Sequence, residues 1–296
     1  MQTFKLNRLM KQITILLASA LTLVLSLAAC DNEMETIDRR TVGPEAQDPA
    51  LYAEYLKALS AYKASDHFLT YARMENAPEV STSPRDYLHA MPDSLDYIAL
   101  MRPLSPFDCE DLPGVRAKGT KILLCADCSV AATAAQAVED ALAQVAAHGL
   151  DGLTIYGGST APDAALFDKA ARAGTFLVFE GDPALVSPES REKIDLYVRD
   201  VTGVNNVFTL QTEVDYMLER VGIPAAKLLL ATTPDSRMDD AALQAQEALT
   251  LVARAVMTYG PLAGLAVYDI GKDYYDPSTN YRRTKAAINL LNPAYN

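Results

Sequence analysis

The sequence is poor in basic residues and in histidine, and both shortages exclude classes of function. Lys and Arg total 26 against 38 Asp and Glu, a formal net charge of -12. Because an acidic chain repels a phosphate backbone, nucleic acid is not an expected partner. The chain has three histidines and a single Cys-x-x-Cys pair, Cys125 and Cys128. A closed zinc site needs four ligands, so we expect no metal. No motif indicates another cofactor. Cys125 is expected to be a buried free thiol.

The first 29 residues lack acidic side chains, and residues 13–29 lack charge altogether. The uncharged run approaches the length of a membrane span, but its basic flank (Lys5, Arg8, Lys11) and the small residues near its end favour a secretory signal. The ending Leu-Ala-Ala-Cys30 resembles the processing site of bacterial lipoproteins, in which the cysteine carries the lipid. This resemblance implies a signal peptide over residues 1–29 and a membrane anchor through lipid on Cys30; a retained helix is the alternative.

Residues 31–38, directly after Cys30, are acidic and mostly polar. Such a segment has nothing to pack, so we expect a solvated tether over residues 30–50. The segment also resembles the acidic signal with which some Gram-negative bacteria send lipoproteins to the outer face of the outer membrane. This resemblance implies an outer-membrane lipoprotein exposed at the cell surface, with a plain linker as the alternative.

Residues 51–296 alternate short apolar runs with amphipathic helical patterns. The predicted strands are residues 68–74, 95–101, 120–126, 152–156, 175–180, 194–200, 227–232 and 264–269, and the clearest helices are residues 131–148, 161–173, 204–222 and 239–260. Gly149, Gly174, Gly222 and Gly260 follow these helices, where a left-handed residue is favoured. Eight such units in this length predict an α/β protein, a single-domain (β/α)8 TIM barrel. A doubly wound open sheet is the rival, but no glycine-rich phosphate loop follows the first strand.

One segment carries a specific family resemblance. Residues 148–158, His-Gly-Leu-Asp-Gly-Leu-Thr-Ile-Tyr-Gly-Gly, resemble the strand-four signature of glycoside hydrolase family 18, in which Asp-Gly-Leu leads to alternating aspartates and then a glutamate. Weaker similarities lie in the strand around Tyr71 and in residues 92–96, 119–124, 264–268 and 290–294. The resemblance implies a family 18-related surface lipoprotein of a glycan-degrading bacterium, with a glycan as its ligand.

The catalytic residues of this family are replaced. In the family, the glutamate protonates the glycosidic oxygen and an aspartate two residues earlier holds the substrate's acetamido group. Asp151 retains the first aspartate, but the inward positions of strand four are Thr154, Tyr156 and Gly158. Residues 125–128 also stand where the family usually has a Ser-x-Gly-Gly turn. The resemblance therefore implies a barrel that has lost its general acid, a pseudoenzyme.

Other carboxylates at strand ends are candidate substitutes for the lost acid. Glu180 and Asp182 close the fifth predicted strand, while Asp200 and Asp269 close the sixth and eighth. All belong on the catalytic face of a barrel. The alternative is that strand ends are polar because they are wet, and that Asp182 caps a turn before Pro183.

Sugar binding is a separate question, and tryptophan, the usual stacking residue of the family, is absent. Tyrosine can replace it because it offers both a ring face and a hydroxyl. The expected glycan contacts are Tyr71, Tyr156, Asp200, Tyr268 and Asp269. Further rim candidates are Arg73, Arg102, Arg199, Tyr274 and Tyr275, and the arginines are equally explained by local ion pairs.

Three functions remain open at this point. The first is a lipid-anchored glycan-binding protein on a disabled hydrolase barrel, directed to N-acetylglucosamine-containing glycans. The second is an active endo-glycosidase with Glu180 or Asp182 as its acid. The third is a non-catalytic subunit of an outer-membrane glycan-uptake complex. Fold analogy alone does not choose among them.

Overall fold

The computed structural model describes residues 43–76 and 81–293. The predicted signal peptide, Cys30 and most of the predicted tether lie outside these residues. Helix α1 (Pro44–Gln47) falls within the remainder of the tether, and the barrel unit begins at residue 50. Among the described residues, none of the helices combines the length and the apolar character needed to cross a membrane.

Eight parallel strands close into a barrel in the order β1-β10-β7-β6-β5-β4-β3-β2, which confirms the predicted (β/α)8 fold. The barrel strands are β1 Leu69–Met74, β2 Tyr97–Leu100, β3 Lys121–Cys128, β4 Gly152–Gly157, β5 Phe176–Glu180, β6 Leu196–Asp200, β7 Leu228–Thr232 and β10 Gly264–Val267. The helices are α2 Pro49–Lys63, α3 Pro106–Ala117, α4 Ala131–His148, α5 Ala164–Arg172, α6 Pro188–Arg191, α7 Val207–Asp215, α8 Ala248–Thr258 and α9 Arg282–Leu291.

Alternation along the strands separates two cores. Outward side chains such as Ile155 and Phe179 join the large apolar cluster between the sheet and the helices. Inward side chains form a second cluster in the barrel lumen, which includes Tyr97, Leu123 and Val198. Gly149 and Gly222 each take a left-handed conformation directly after a helical segment, as predicted for these two helix ends. The lumen is thus a packed core, and ligand chemistry is confined to its upper, carboxyl-terminal end.

Two sequence predictions about helices are wrong in detail. The predicted helix over residues 239–260 starts only at Ala248, because residues 237–247 form a hairpin of strands β8 (Arg237–Asp239) and β9 (Ala245–Glu247). Asp240 organises the hairpin turn by accepting from the amides of Ala242 and Gln244. Gly260, unlike the other three predicted helix-ending glycines, does not have a positive φ.

Candidate functional site

A buried polar cluster closes the top of the lumen, and Glu180 lies at its centre. The Glu180 side chain at the end of β5 is completely buried. Its Oε1 accepts from the Tyr71 hydroxyl at 2.5 Å, its Oε2 accepts from Arg73 Nη1 at 3.2 Å, and the Tyr268 hydroxyl also bonds to it. Thr154 Oγ1 lies 3.1 Å from the Tyr71 hydroxyl. Strands β1, β4 and β5 and the residue after β10 therefore contribute to one network that satisfies the buried carboxylate.

Arg73 covers this network from above. Its guanidinium carbon lies 3.8 Å from the ring centroid of Tyr268 and 5.5 Å from that of Tyr156. A cation over an aromatic face is attracted by the ring quadrupole. Because Arg73 also pairs with Glu180, one side chain links the buried acid to the two tyrosines at the mouth.

Burial is the largest influence on the pKa values of the residues in this cluster. It raises the pKa of the Glu180 carboxyl, against the opposing effects of the Arg73 charge and of the donated hydrogen bonds. Burial, followed by the Glu180 charge, raises the pKa of Tyr71 and of Tyr268 well above the usual range of a phenol. The pKa of the nearby Cys125 thiol is raised well above its usual range for the same two reasons. Both phenols and the thiol are therefore neutral hydrogen-bonding groups at physiological pH.

The end of β4 leaves no room for the family's acid. β4 ends at Gly157, and a Cβ on Gly158 would lie only 2.9 Å from both the Cα and the carbonyl oxygen of Ser129. The sequence predicted that this position points into the lumen, but the direction of a side chain at Gly158 is filled by the backbone that follows β3. Thr154 is bonded within the buried cluster, whereas Tyr156 is half-buried at the mouth.

Asp151, the one retained aspartate of the motif, is far from the mouth along the strand. It precedes β4 at the amino-terminal end, and its Oδ2 accepts from the Ile122 amide at 2.9 Å. Asp151 therefore fastens β4 to β3 and takes no part in the mouth chemistry.

The two candidate substitute acids lie in different surroundings. Glu180 is fully buried, and both of its oxygens are occupied within the cluster. Asp182 caps a short turn by accepting from the Ala184 amide at 2.9 Å, as the alternative prediction had it, and Arg199 Nη1 lies 3.7 Å from its other oxygen. A general acid must reach the leaving oxygen, and the geometry of Glu180 prevents this.

A cleft of about 470 Å³, here named cleft A, lies over the ends of β4, β5 and β6. It is lined by Tyr156, Gly157, Gly158, Ser159, Gly181, Asp182, Leu185, Arg199, Asp200 and Tyr268. Cleft A thus brings together three of the five predicted glycan contacts, Tyr156, Asp200 and Tyr268. Tyr268 contributes little accessible surface, since it is 3% exposed.

The two remaining predicted contacts lie elsewhere. Tyr71 has no exposed surface, because it stands a layer below the strand ends and bonds to Glu180, so its prediction as a glycan contact is corrected. Asp269 lines a separate cavity beside the mouth. Sequence reasoning missed the central pairing of Arg73 with Glu180. The available signal was that both residues occupy inward positions at the ends of strands on opposite sides of the barrel.

The two cysteines of the Cys-x-x-Cys pair lie on opposite faces of β3. Cys128 packs in the outer apolar cluster, whereas Cys125 lies near Glu180 and Arg73 in the lumen, so the two side chains leave β3 on opposite faces. Both thiols are free. Within residues 43–76 and 81–293, no group of three or more His, Cys, Asp or Glu side chains could hold a metal ion.

The fold and the cleft define a (β/α)8 barrel with an open cleft at the carboxyl ends of its strands. A family model described as glycoside hydrolase family 18, BT1044-like, matches residues 32–148. No curated protein sequence matches the chain. The chain is 17% identical to a selenomethionine Glu-to-Gln variant of BT1044, with a TM-score of 0.68 over 86% of this chain and 97% of that chain.

A second solved structure has the same fold. The family 18 chitinase ChiB from the chitin utilization locus of Flavobacterium johnsoniae is 10% identical, with a TM-score of 0.53 over 76% of this chain and 94% of that chain. The predicted resemblance to glycoside hydrolase family 18 is thus confirmed by the family model over residues 32–148, which end before strand four, and the solved structures share the barrel fold.

Proposed function

We propose that the protein binds glycans containing N-acetylglucosamine at the mouth of its barrel and does not hydrolyse them. The observation that carries this proposal is the state of Glu180, whose carboxylate lies in the buried cluster beneath the mouth. It is fully buried, bonded to Tyr71 and paired with Arg73, and therefore holds the barrel together instead of facing a substrate.

Cleft A supplies the groups that a sugar needs. Tyr156 presents a half-buried ring beside the Arg73 guanidinium, and such a ring can pack against the apolar face of a pyranose. Asp200 is exposed, and Asp182 with Arg199 forms a polar pair at the rim. Gly157, Gly158 and Gly181 contribute to the cleft lining. A cleft with an aromatic wall and a few polar groups is the usual form of a small-ligand site.

Binding and cleavage should be measured together on the purified protein. Chitin oligosaccharides and a high-mannose N-glycan are titrated by calorimetry, and released reducing ends are assayed in parallel. We expect binding without cleavage. Tyr156→Ala should weaken binding at least about tenfold, or about 1.4 kcal/mol, while Tyr216→Ala, an equally large change at an exposed tyrosine outside cleft A, should leave it unchanged. Robust cleavage that disappears in Asp182→Asn would overturn the proposal in favour of a relocated acid.

We also propose that lipid on Cys30 anchors the protein in the outer membrane, with its barrel at the cell surface and available to a glycan-uptake complex. The support is the basic start, the uncharged run over residues 13–29 and the Leu-Ala-Ala-Cys30 ending. Replacing Cys30 with Ser should abolish labelling by a radioactive fatty acid and release the chain from membranes. Retention of this variant after an alkaline wash would show that the uncharged run is itself the anchor.

A further inference from the structure

A second cavity of about 460 Å³, here named cleft B, opens beside the mouth. It is lined by Met74, Glu75, Thr82, Arg85, Asp86, Arg102, Asp269, Ile270, Gly271 and Lys272. These residues follow β1, β2 and β10, whereas cleft A lies over β4, β5 and β6. In the closed strand order, β1 stands opposite β5. The two clefts therefore lie on opposite sides of the barrel mouth.

The side chains at the centre of the mouth separate the two clefts. Tyr268 lines cleft A, while the next residue, Asp269, lines cleft B. Asp269 takes a left-handed conformation, with φ of 48°, which is uncommon for a residue other than glycine. This turn directs the chain away from β10, and Lys272 Nζ holds the Asp269 carboxylate at 3.1 Å. The backbone is thus shaped to place consecutive side chains in different clefts.

Charge in cleft B is balanced pair by pair. Its three cations each face a carboxylate of the same cleft: Arg102 with Glu75 at 3.4 Å, Arg85 with Asp86 at 3.7 Å, and Lys272 with Asp269 at 3.1 Å. Lys272 also lies 3.3 Å from Asp235, which is outside the cleft lining. An anionic or a cationic ligand would gain little from a neutral set of this kind. A polyhydroxylated neutral ligand gains more, because its hydroxyls can accept from the cations and donate to the carboxylates.

A fixed aromatic ring stands next to cleft B. Tyr275 is 64% exposed, yet its hydroxyl lies 2.7 Å from Ser83 Oγ and its ring packs edge-on against Tyr274 at 4.8 Å. Ser83 neighbours Thr82 of the cleft wall, and Tyr275 follows Lys272 by three residues. A ring that is held at its edge and hydroxyl and still exposes much of its surface offers a ready platform for a sugar.

We infer that cleft B is a second sugar-binding site, and that the ligand is an oligosaccharide long enough to cross the mouth from cleft A. This inference rests on the proposed function. Eight strands about 4.8 Å apart and tilted by about 36° enclose a barrel roughly 15 Å across, which one or two sugars cannot span. Affinity should therefore depend on chain length, and Tyr275 should act only on ligands long enough to reach it.

The test is a calorimetric series with chitin oligosaccharides of two to six sugars and with a high-mannose N-glycan and its trimmed core. For wild type, we expect Kd to fall at least about tenfold from the shortest to the longest ligand. Tyr275→Ala and Arg102→Ala should remove this gain and leave the shortest ligand unaffected. Tyr275→Phe, which keeps the ring, should restore the gain. Tyr216→Ala, an exposed tyrosine distant in sequence from both clefts, is the matched control and should behave as wild type.

The outcomes separate the two proposals. Binding that is equal at all lengths, or a length gain that survives both cleft B variants, would overturn the second site and leave glycan binding at cleft A intact. A loss in Tyr156→Ala across the whole series would support the proposed function, because every ligand uses cleft A. Failure of every glycan to bind would overturn the proposed function, and this inference with it.

Discussion

The Tyr71 hydroxyl donates a hydrogen bond of 2.5 Å to Oε1 of Glu180, across the lumen from β1 to β5. Arg73, two residues further along β1, donates to the other Glu180 oxygen. β1 therefore supplies both the cation and the hydroxyl donor for the carboxylate on β5, the strand opposite. A buried carboxylate is costly unless it is paired and hydrogen-bonded. The top of the lumen therefore holds a buried structural ion pair between β1 and β5.

Removing Arg73 alone should destabilise the fold more than removing both charges of the Arg73–Glu180 pair. Arg73→Met leaves Glu180 buried without its cation, and we expect a loss of about 3 kcal/mol in the free energy of unfolding, measured by urea at pH 7. Arg73→Met combined with Glu180→Gln should recover part of this loss, because the amide carries no charge and can still accept from Tyr71. The control is Arg102→Met, whose exposed pair with Glu75 should be worth less than about 1 kcal/mol. Equal losses for the two arginine variants would contradict the structural role.

Lys63 gives the barrel a pH-dependent stability at its amino-terminal end. The Lys63 ammonium donates to the Leu95 carbonyl and to Thr120 Oγ1, both at 2.6 Å, and burial lowers its pKa from 10.5 to about 8. Between these pH values the unfolded chain binds a proton that the folded chain does not, so stability rises with pH through this window. The destabilisation caused by burying the Lys63 charge is present in full below pH 8.

The measurement compares wild type with Lys63→Met by urea unfolding from pH 7 to pH 10.5. Wild type should gain about 2 kcal/mol relative to the variant over this range, since one pKa unit corresponds to about 1.4 kcal/mol and the side chain is not completely buried. Titration of other groups cancels in the difference. Lys57→Met, at an exposed lysine of the same helix, serves as the control and should show no such trend. A difference that is flat with pH would refute the assignment.

The eight barrel strands could be predicted from sequence because strands buried on both faces form short apolar runs. The β8–β9 hairpin could not, since its two three-residue strands, Arg237–Asp239 and Ala245–Glu247, are mostly polar and follow the helical pattern of the next element. The apolar periodicity of the sequence indicates which residues are buried in the barrel. The hairpin is stabilised instead by hydrogen bonds in its turn, around Asp240.

The candidate site was predicted only in part, for a physical reason. Strand alternation placed Tyr156, Glu180 and Asp200 at the mouth, and the structure agrees. The depth of each side chain depends on the stagger of the strands, which the sequence does not reveal. Tyr71 consequently lies a layer lower than expected, and its partner Glu180 is 109 residues away in the chain.

The three cysteines of the barrel should all be free thiols of different reactivity. Cys125 and Cys128 leave β3 on opposite faces, too differently directed for a disulfide. Burial raises the pKa of Cys128 to about 11 and that of Cys125 well above its usual range. In a Cys30→Ser chain at pH 8, we expect one thiol, Cys109, to react rapidly with a disulfide reagent and two more to react only after unfolding. Cys109→Ser should remove the rapid phase, and a total of one thiol after unfolding without reductant would reveal a disulfide.

Rebuilding the family's acid should not restore hydrolysis. Gly158→Glu directs its Cβ to within 2.9 Å of the Ser129 backbone, so the backbone after β3 must shift before the carboxyl can enter the mouth. Overpacking of this kind typically costs about 1–3 kcal/mol, and Gly158→Ala should already show it as a lower melting temperature.

Adding Tyr156→Asp supplies the second carboxylate but leaves both Ser129 and the Arg73–Glu180 pair in place. We therefore expect the double variant to release no more reducing ends from chitin oligosaccharides or N-glycans than wild type. Gly114→Ala, at a helical glycine where a Cβ meets nothing within 4 Å, is the control for substitution itself and should melt no lower than wild type. Fast hydrolysis by the double variant would show that loss of two side chains alone disabled the site, and that the contact between Gly158 and Ser129 is no barrier to its repair.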